Sequence, residues 1–198
     1  MTVEQVLEFW FSTLTNDEAI IASQSVLWWK KQDSTDELIK SQFEESVRLA
    51  AAGEFDEWKH TPSGRLALII LLDQFPRNIY RDTPLAFAFD STASSLCLEG
   101  LAKGDDQALS PIRRVFFYLP LEHAEDKKLQ DQSVALFRSL LSDLGPEEKK
   151  RYAGYLDFEI KHQAIIERFG RFPHRNRILQ RDSTSAELEF LKQPGSSF

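Results

Sequence analysis

Apolar residues fall at helical spacing along almost the whole chain. In residues 34–53, STDELIKSQFEESVRLAAAG, Ile39, Phe43 and Val47 recur every four positions with polar residues between them. That spacing puts them on one face of an amphipathic helix. Ser34 and Glu37 stand at capping-box distance before the run and Gly53 follows it, so the helix is expected to start and stop there. Residues 64–75, GRLALIILLDQF, behave differently, because Leu66 to Leu72 are apolar without interruption. A helix apolar on every side is a buried one, and Pro76 is expected to stop it. A strand is the competing reading for such a run, but no neighbouring segment alternates with period two.

Pro84 is expected to open the next helix, which carries Ala86, Ala88, Ala93 and Ala102 and closes at Gly104. Pro111 begins a short element, PIRRVFFYL, broken at Pro120. Leu129, Ser133, Leu136 and Leu140 then recur at steps of three and four. Pro146 with Glu147 and Glu148 reads as a helix start, with acids where the dipole favours them. That helix runs to Phe169 and stops at Gly170. Two short helices follow, one after Pro173 and one from Thr184, whose spacing to Glu187 is a second capping box. No linker, low-complexity block or shift of composition divides the chain. Residues 1–198 are therefore expected to form a single all-α domain, a compact α–α stack of helices of unequal length.

Composition supports a folded body and narrows its setting. The chain has 198 residues, 42% of them apolar, with 15 Phe and four Trp, enough apolar surface to offset the ordering entropy of folding. Its one cysteine, Cys97, lies in an apolar stretch, which fits a reducing compartment. The net charge of −7 disfavours nucleic acid and anionic membranes as partners, since both need a positive field. The N-terminus, MTVEQVLEFWF, has acids where a signal peptide needs Lys or Arg. No apolar run approaches the ~20 residues that span a bilayer. A cytoplasmic protein is expected. Composition does not decide the oligomeric state.

Against that acidic background, polar residues gather at three helix ends. The first group is Asp73, Gln74, Arg77, Asn78 and Arg81, directly after the apolar run. It reads either as a helix end whose buried polar groups satisfy one another or as part of a pocket. The second is Glu122, His123, Glu125 and Asp126, with His123 and Asp126 at i, i+3 and so expected on one side of a helix. The third is His162 with Arg168, Arg171, His174, Arg175 and Asn176. Tyr155, Glu159, His162 and Ile166 share one helical face, where a histidine is either a satisfied core residue or a ligand-facing one.

Between Arg168 and Arg181 stand five arginines. They repel one another unless carboxylates or a bound anion lie among them. Asp73, Glu122 and Asp126 are the expected partners in a purely structural network. The other reading is an anion site lined by Arg77, Arg81, Arg171 and Arg175 and faced by His123 and His162. There is no Gly-rich phosphate loop and no Gly-x-Ser-x-Gly elbow. Glu159 and His162 have the spacing of a di-iron bundle ligand pair, but no second pair accompanies them. His123, Asp126 and His162 form a weak alternative set for one metal ion. The sequence leaves any cofactor unknown.

The segments LALIILLDQFPRNIYR, FFYLPLEHAED, HQAIIERFGRFPHRN and FLKQPGSSF resemble, in order, the signature segments of the bacterial family known as domain of unknown function 924. The resemblance implies an all-helical fold of the tetratricopeptide-like superhelical type and no established activity. It also implies that the closing PGSSF is ordered, and Phe198, an aromatic at the extreme end, is expected to pack against the body with its α-carboxylate on an arginine. Gln180 stands where the family pattern has a glycine. The expected function is a helical module that binds a small anion or a peptide carboxylate among Arg and His side chains. The alternative is a hydrolase-like enzyme using His123, His162 or His174 as acid–base with Asp126 as orienter, or a mononuclear metal.

Overall fold

The computed structural model describes residues 1–196. Ser197 and Phe198, and with them the expected docking of the terminal aromatic, lie outside the described residues. The fold is all-α, with no strand among the described residues. The chain groups into two compact units: Met1–Arg81 with Leu85–Pro120, and Asp82–Pro84 with the chain from Leu121 onward.

The first unit contains α1 (Val3–Phe11), α2 (Asp17–Trp29), α3 (Asp33–Ala51), α4 (Pro62–Ile69), α5 (Phe75–Ile79), α6 (Asp90–Lys103) and α7 (Pro111–Glu122), whose last two residues belong to the second. Its core is the uninterrupted apolar run: Leu66 to Leu72 are all buried, packed against α1, α3 and α6. Trp10, Phe11, Trp28 and Phe116 make edge and tilted ring contacts around them. Arg65 is fully buried and gives its guanidinium to Asp105, Glu99 and the carbonyls of Lys59 and Leu96. Gly100 admits it, since a Cβ there would stand 2.4 Å from Arg65 Cδ and 2.5 Å from Phe117 Cζ.

Several boundaries differ from the sequence expectation, each for a local reason. Pro76 does not stop the central helix. A π turn, Ile70–Gln74, precedes it, and the Phe75 N–H reaches Ile70 O. The wider turn shifts the carbonyl that the Pro76 ring would strike in a regular helix, and α5 continues through it. Pro120 likewise lies inside α7; its carbonyl accepts the Ser94 hydroxyl at 3.0 Å. Ser34 is not a cap, because α3 starts at Asp33 from Gln32, without a side-chain cap. Pro84 opens only a 3₁₀ turn, Pro84–Phe87, and α6 proper begins at Asp90.

The second unit contains α8 (Lys127–Ser142), α9 (Pro146–Phe169) and α10 (Ser185–Phe190). Val134, Phe137 and Leu140 of α8 and Tyr152, Ile165 and Ile166 of α9 are buried. Phe172 adds to the Ile165–Ile166 cluster, with Phe169 and Phe190 against it. The predicted span of α9 and its stop at Gly170, φ 70°, both hold, as does the Thr184–Glu187 capping box of α10. Gln180, where the family resemblance implies glycine, adopts φ 54°, and the next N–H, of Arg181, returns to Asn176 O at 2.8 Å. This is the left-handed closing residue of a Schellman-type turn.

Two substitutions test these packing assignments with opposite signs. Gln180→Gly relieves a left-handed side-chain clash and should raise stability by about 1 kcal/mol. Gly100→Ala forces a methyl into Arg65 and Phe117 and should cost roughly 1–3 kcal/mol. Urea unfolding of both variants checks the pair.

Candidate functional site

In the first unit, the polar group after the apolar run is held by Asp73, an expected arginine partner, and by Asp90 and Asp36, which the sequence reading did not identify. Arg77 sends Nη1 to the Asp73 carbonyl at 2.6 Å and closes a two-pronged pair on Asp90 at 2.9 and 3.0 Å. Its Nη1 lies 3.5 Å from Asp73 Oδ1. Gln74 donates to Asp73 Oδ2 at 2.5 Å. Asn78 and Arg81 both donate to Asp36, at 2.8 Å for the amide and 2.5 and 2.8 Å for the guanidinium. Burial would raise the Asp36 carboxyl, but hydrogen bonds from Arg81 and Asn78 and the Arg81 charge bring it below its ordinary range. Asp90 and Asp36 open α6 and α3 and are distant in sequence from the arginines they meet, so helical spacing could not pair them.

The second unit gathers the other candidates. Two of the five arginines close forks on glutamates. Arg171 donates to both oxygens of Glu187 at 2.7 and 2.9 Å and to the Asp182 carbonyl at 2.8 Å. Arg181 donates to both oxygens of Glu125 at 2.5 and 2.9 Å and to Asn176 Oδ1 at 3.1 Å. These partners replace the expected ones. Glu122 lies with His162, and Asp126 caps α8 by accepting from the Lys128 and Leu129 N–H groups at 2.8 and 3.1 Å. The capping signal at Asp126 was present in the sequence and was read as helix interior. Because α7 ends at Glu122 and α8 starts at Lys127, His123 and Asp126 lie in the turn between helices and share no helical face.

Arg168 lies over the Phe169 ring at 4.7 Å. Asn176 is buried and ties Ser183 into the turn at 3.0 Å. Arg175 differs from the forked arginines. Its side chain is buried, its Nη1 donates to the His123 carbonyl at 3.0 Å, and its guanidinium lies 4.5 Å from the Phe172 ring centroid. The His174 ring lies 5.7 Å from the same ring between centroids. Burial first, then the charges of Arg175, His162 and Arg181, bring His174 down to about 4 against a smaller opposing effect of Glu125. It is a neutral imidazole at pH 7 in a field of cations.

Behind Phe172 is a buried chain of titratable side chains. His162, whose ring is 5.5 Å from Phe172, has Nδ1 3.0 Å from Glu122 Oε1 and 2.9 Å from the Phe158 carbonyl. Two acceptors at one nitrogen place the hydrogen on Nδ1. Ser133 donates to Glu159 Oε2, and Glu159 is hydrogen-bonded to Glu122. Burial would raise Glu122; the His162 charge, hydrogen bonds from Glu159 and His162, and the His123 charge hold it well below the usual carboxylate range. Glu159 moves the other way, pushed well up by burial, then by the charge and hydrogen bond of Glu122. Gln130 fixes the end of α7 by donating to the carbonyls of Leu121, Glu122 and Ala124. Helical spacing placed Glu159 and His162 on one inward face, but nothing in the sequence joined them to Ser133 and Glu122.

Among the described residues no group of three His, Cys, Asp or Glu side chains is arranged to hold a metal ion. Cys97 is fully buried, and burial, followed by the charges of Asp106 and Asp73, pushes its thiol well up.

The Arg171–Glu187 fork is directly testable by pH. Hydrogen bonds from Arg171 first, then from Thr184 and Asn176, hold Glu187 down to about 2. A depressed carboxyl contributes stability above its unfolded pKa of about 4.3 and loses it as pH falls through the folded value. Arg171→Gln should therefore lower Tm at pH 7 more than Arg168→Gln does. The gap between wild type and Arg171→Gln should narrow as pH falls from about 4 towards 2. Thermal unfolding across that range checks both expectations.

The family model for a bacterial protein of unknown function, DUF924, matches residues 6–195. Among solved structures, the chain is similar to the protein of unknown function ATU0120 from Agrobacterium tumefaciens, with 36% identity over 96% of each chain and a TM-score of 0.81. No functionally curated protein matches the chain. The family match runs through both arginine segments and all of α8 and α9, and the chain belongs to the bacterial protein family of unknown function DUF924.

Proposed function

We infer that the protein binds a small anion, a phosphate group or a carboxylate of a metabolite or peptide, and that Arg175 with His174 and His123 receives it. The observation that carries this reading is the setting of Arg175. Its guanidinium is buried, spread on Phe172 and beside an imidazole kept neutral by neighbouring cations. An arriving anion raises the proton affinity of a neutral histidine, so His174 and Arg175 together supply a cation and a second donor. Arg77, Arg81, Arg171 and Arg181 hold carboxylates in their forks. The tetratricopeptide-like form of the fold and a cytoplasmic location belong to the same proposal. The family resemblance supports the first. The second is compatible with the finding that no described helix is long and apolar enough to cross a membrane.

A second reading, an acid–base enzyme, is favoured by the opposite shifts of Glu122 and Glu159 beside His162. Two carboxyls pushed apart in pKa mark a proton donor and an acceptor. Their burial makes binding the better-supported reading.

Phosphate and citrate, titrated against sodium chloride of matched ionic strength, should raise Tm saturably. A ligand of the native state alone contributes about 2.7 kcal/mol at 100 times its dissociation constant. Arg175→Gln should abolish the response and Arg175→Lys should weaken it, while Arg171→Gln should leave it in place. In nuclear magnetic resonance titrations the anion should move His174 upward from about 4. A wild-type Tm that follows ionic strength alone ends the binding reading. Turnover of a phosphorylated or acylated compound library would favour the enzyme.

A further inference from the structure

We propose that Glu159 is a buried proton-binding site, a carboxylic acid rather than a carboxylate in the working protein, and that its proton sets the affinity of the Arg175–His174 anion site. The second half rests on the anion-binding reading above; the first half stands on the buried geometry alone.

Glu159 is 0% exposed in the middle of α9. One carboxyl oxygen, Oε2, takes the Ser133 hydroxyl, and the other, Oε1, is buried with no donor among the described residues. An ionised carboxylate with one bare buried oxygen is costly, and one whose neighbour is a second carboxylate is costlier still. A proton on Glu159 removes the buried charge and the clash of two carboxylates, since the O–H donates to Glu122. Glu122 is the member of the pair that keeps the negative charge, because His162 Nδ1–H donates to it at 3.0 Å. The donors then converge on Glu122: Ser133 O–H to Glu159, Glu159 O–H to Glu122, and His162 N–H to Glu122 as well. Every donor meets an acceptor.

The groups around this proton come from each packed element. Glu122 faces it from α7, and His123 acts on Glu122 from the turn that follows. Ser133 faces it from α8 and His162 from one turn further along α9. His162, His174 and Arg175 all border the Phe172 ring, and the His162 charge is felt at His174. When Glu159 loses its proton, two carboxylates meet and a negative charge appears behind the anion site. The chain can no longer donate to Glu122, and the anion is opposed. Proton release at Glu159 and anion release at Arg175 are therefore linked, with both favoured as pH rises.

The direction for stability follows from the raised folded pKa of Glu159. The contribution of the protonated acid is fully present below the ordinary carboxylate pKa and is lost as pH rises through the folded value. Glu159→Gln keeps the shape, accepts from Ser133 and donates to Glu122 without being able to ionise.

Difference infrared spectroscopy of the full chain should show a protonated-carboxyl C=O band at neutral pH that is absent in Glu159→Gln. Relative to that variant, wild type should lose Tm as pH rises. Phosphate should bind Glu159→Gln with a dissociation constant that does not change across the titration of Glu159, whereas wild type should weaken roughly fivefold or more. If Glu159→Gln fails to fold, the band and its loss at high pH in wild type still decide the point. A missing band in wild type overturns the proton site. A band present with phosphate affinity indifferent to that titration overturns the linkage. If phosphate binds neither protein, the anion-binding reading fails and the linkage with it, while the band alone still decides the proton site.

Discussion

A charge removed from water must meet its counter-charge, or a full set of hydrogen bonds, inside the same packed unit, and the placement of most polar groups here follows from that constraint. Losing one partner of a buried ion pair typically costs about 3–5 kcal/mol. Arg65 shows the constraint at its strictest: a fully buried guanidinium with a carboxylate, a second acid and two carbonyls around it. The Tyr118 hydroxyl is treated likewise, donating to Asp106 at 2.7 Å and accepting from Arg114 at 3.0 Å. The arginines of the two Phe-Pro segments obey the same rule through Asp36, Asp90, Glu125 and Glu187. An acidic protein can thus contain strongly basic segments without a strongly basic surface.

The same rule explains why the central helix is irregular where it is. Its apolar run ends at Asp73 and Gln74, both buried. A π turn there loosens the backbone pattern, and the Asp73 carbonyl becomes the acceptor of Arg77 at 2.6 Å. The turn accommodates Pro76 and anchors an arginine in one step. π turns are rare and recur at functional sites; in this molecule the anchoring of Arg77 supplies a structural role for it.

In the second unit, pairing is incomplete in a way that carries chemistry. Three carboxylate-bearing positions, Glu122, Glu125 and Glu187, are matched by His162, Arg181 and Arg171. Among the described residues Glu159 meets a hydroxyl and another carboxyl, and in the proposal above a proton satisfies it. The cation–ring stack of Arg175 on Phe172 and the neutral His174 lie one layer further out. The proposed anion site responds to pH through charge rather than through a moving loop.

Much of the helical layout was legible in the sequence. The burial of Leu66 to Leu72, the full span of α9 with its Gly170 stop, and the Thr184–Glu187 box are local matters of periodicity and capping, decided within a few turns of chain. The inward face of Glu159 and His162 was legible for the same reason. Proline was misread at Pro76 and Pro120 because its effect depends on whether the surrounding turn can widen or the neighbouring carbonyl finds another donor, and packing decides that. The identity of each arginine's partner was not legible at all. Arg81 meets Asp36 and Arg181 meets Glu125 across 45 and 56 positions of chain, a distance over which spacing conveys nothing. The sequence by itself determined that the protein is helical, that its core is the uninterrupted apolar run, and that cations and acids gather at helix ends. Only the tertiary structure decided which charges cancel, which histidine is kept neutral and which carboxyl is buried beside another. Those outcomes depend on burial and on contacts between distant segments, and both exist only once the helices have packed.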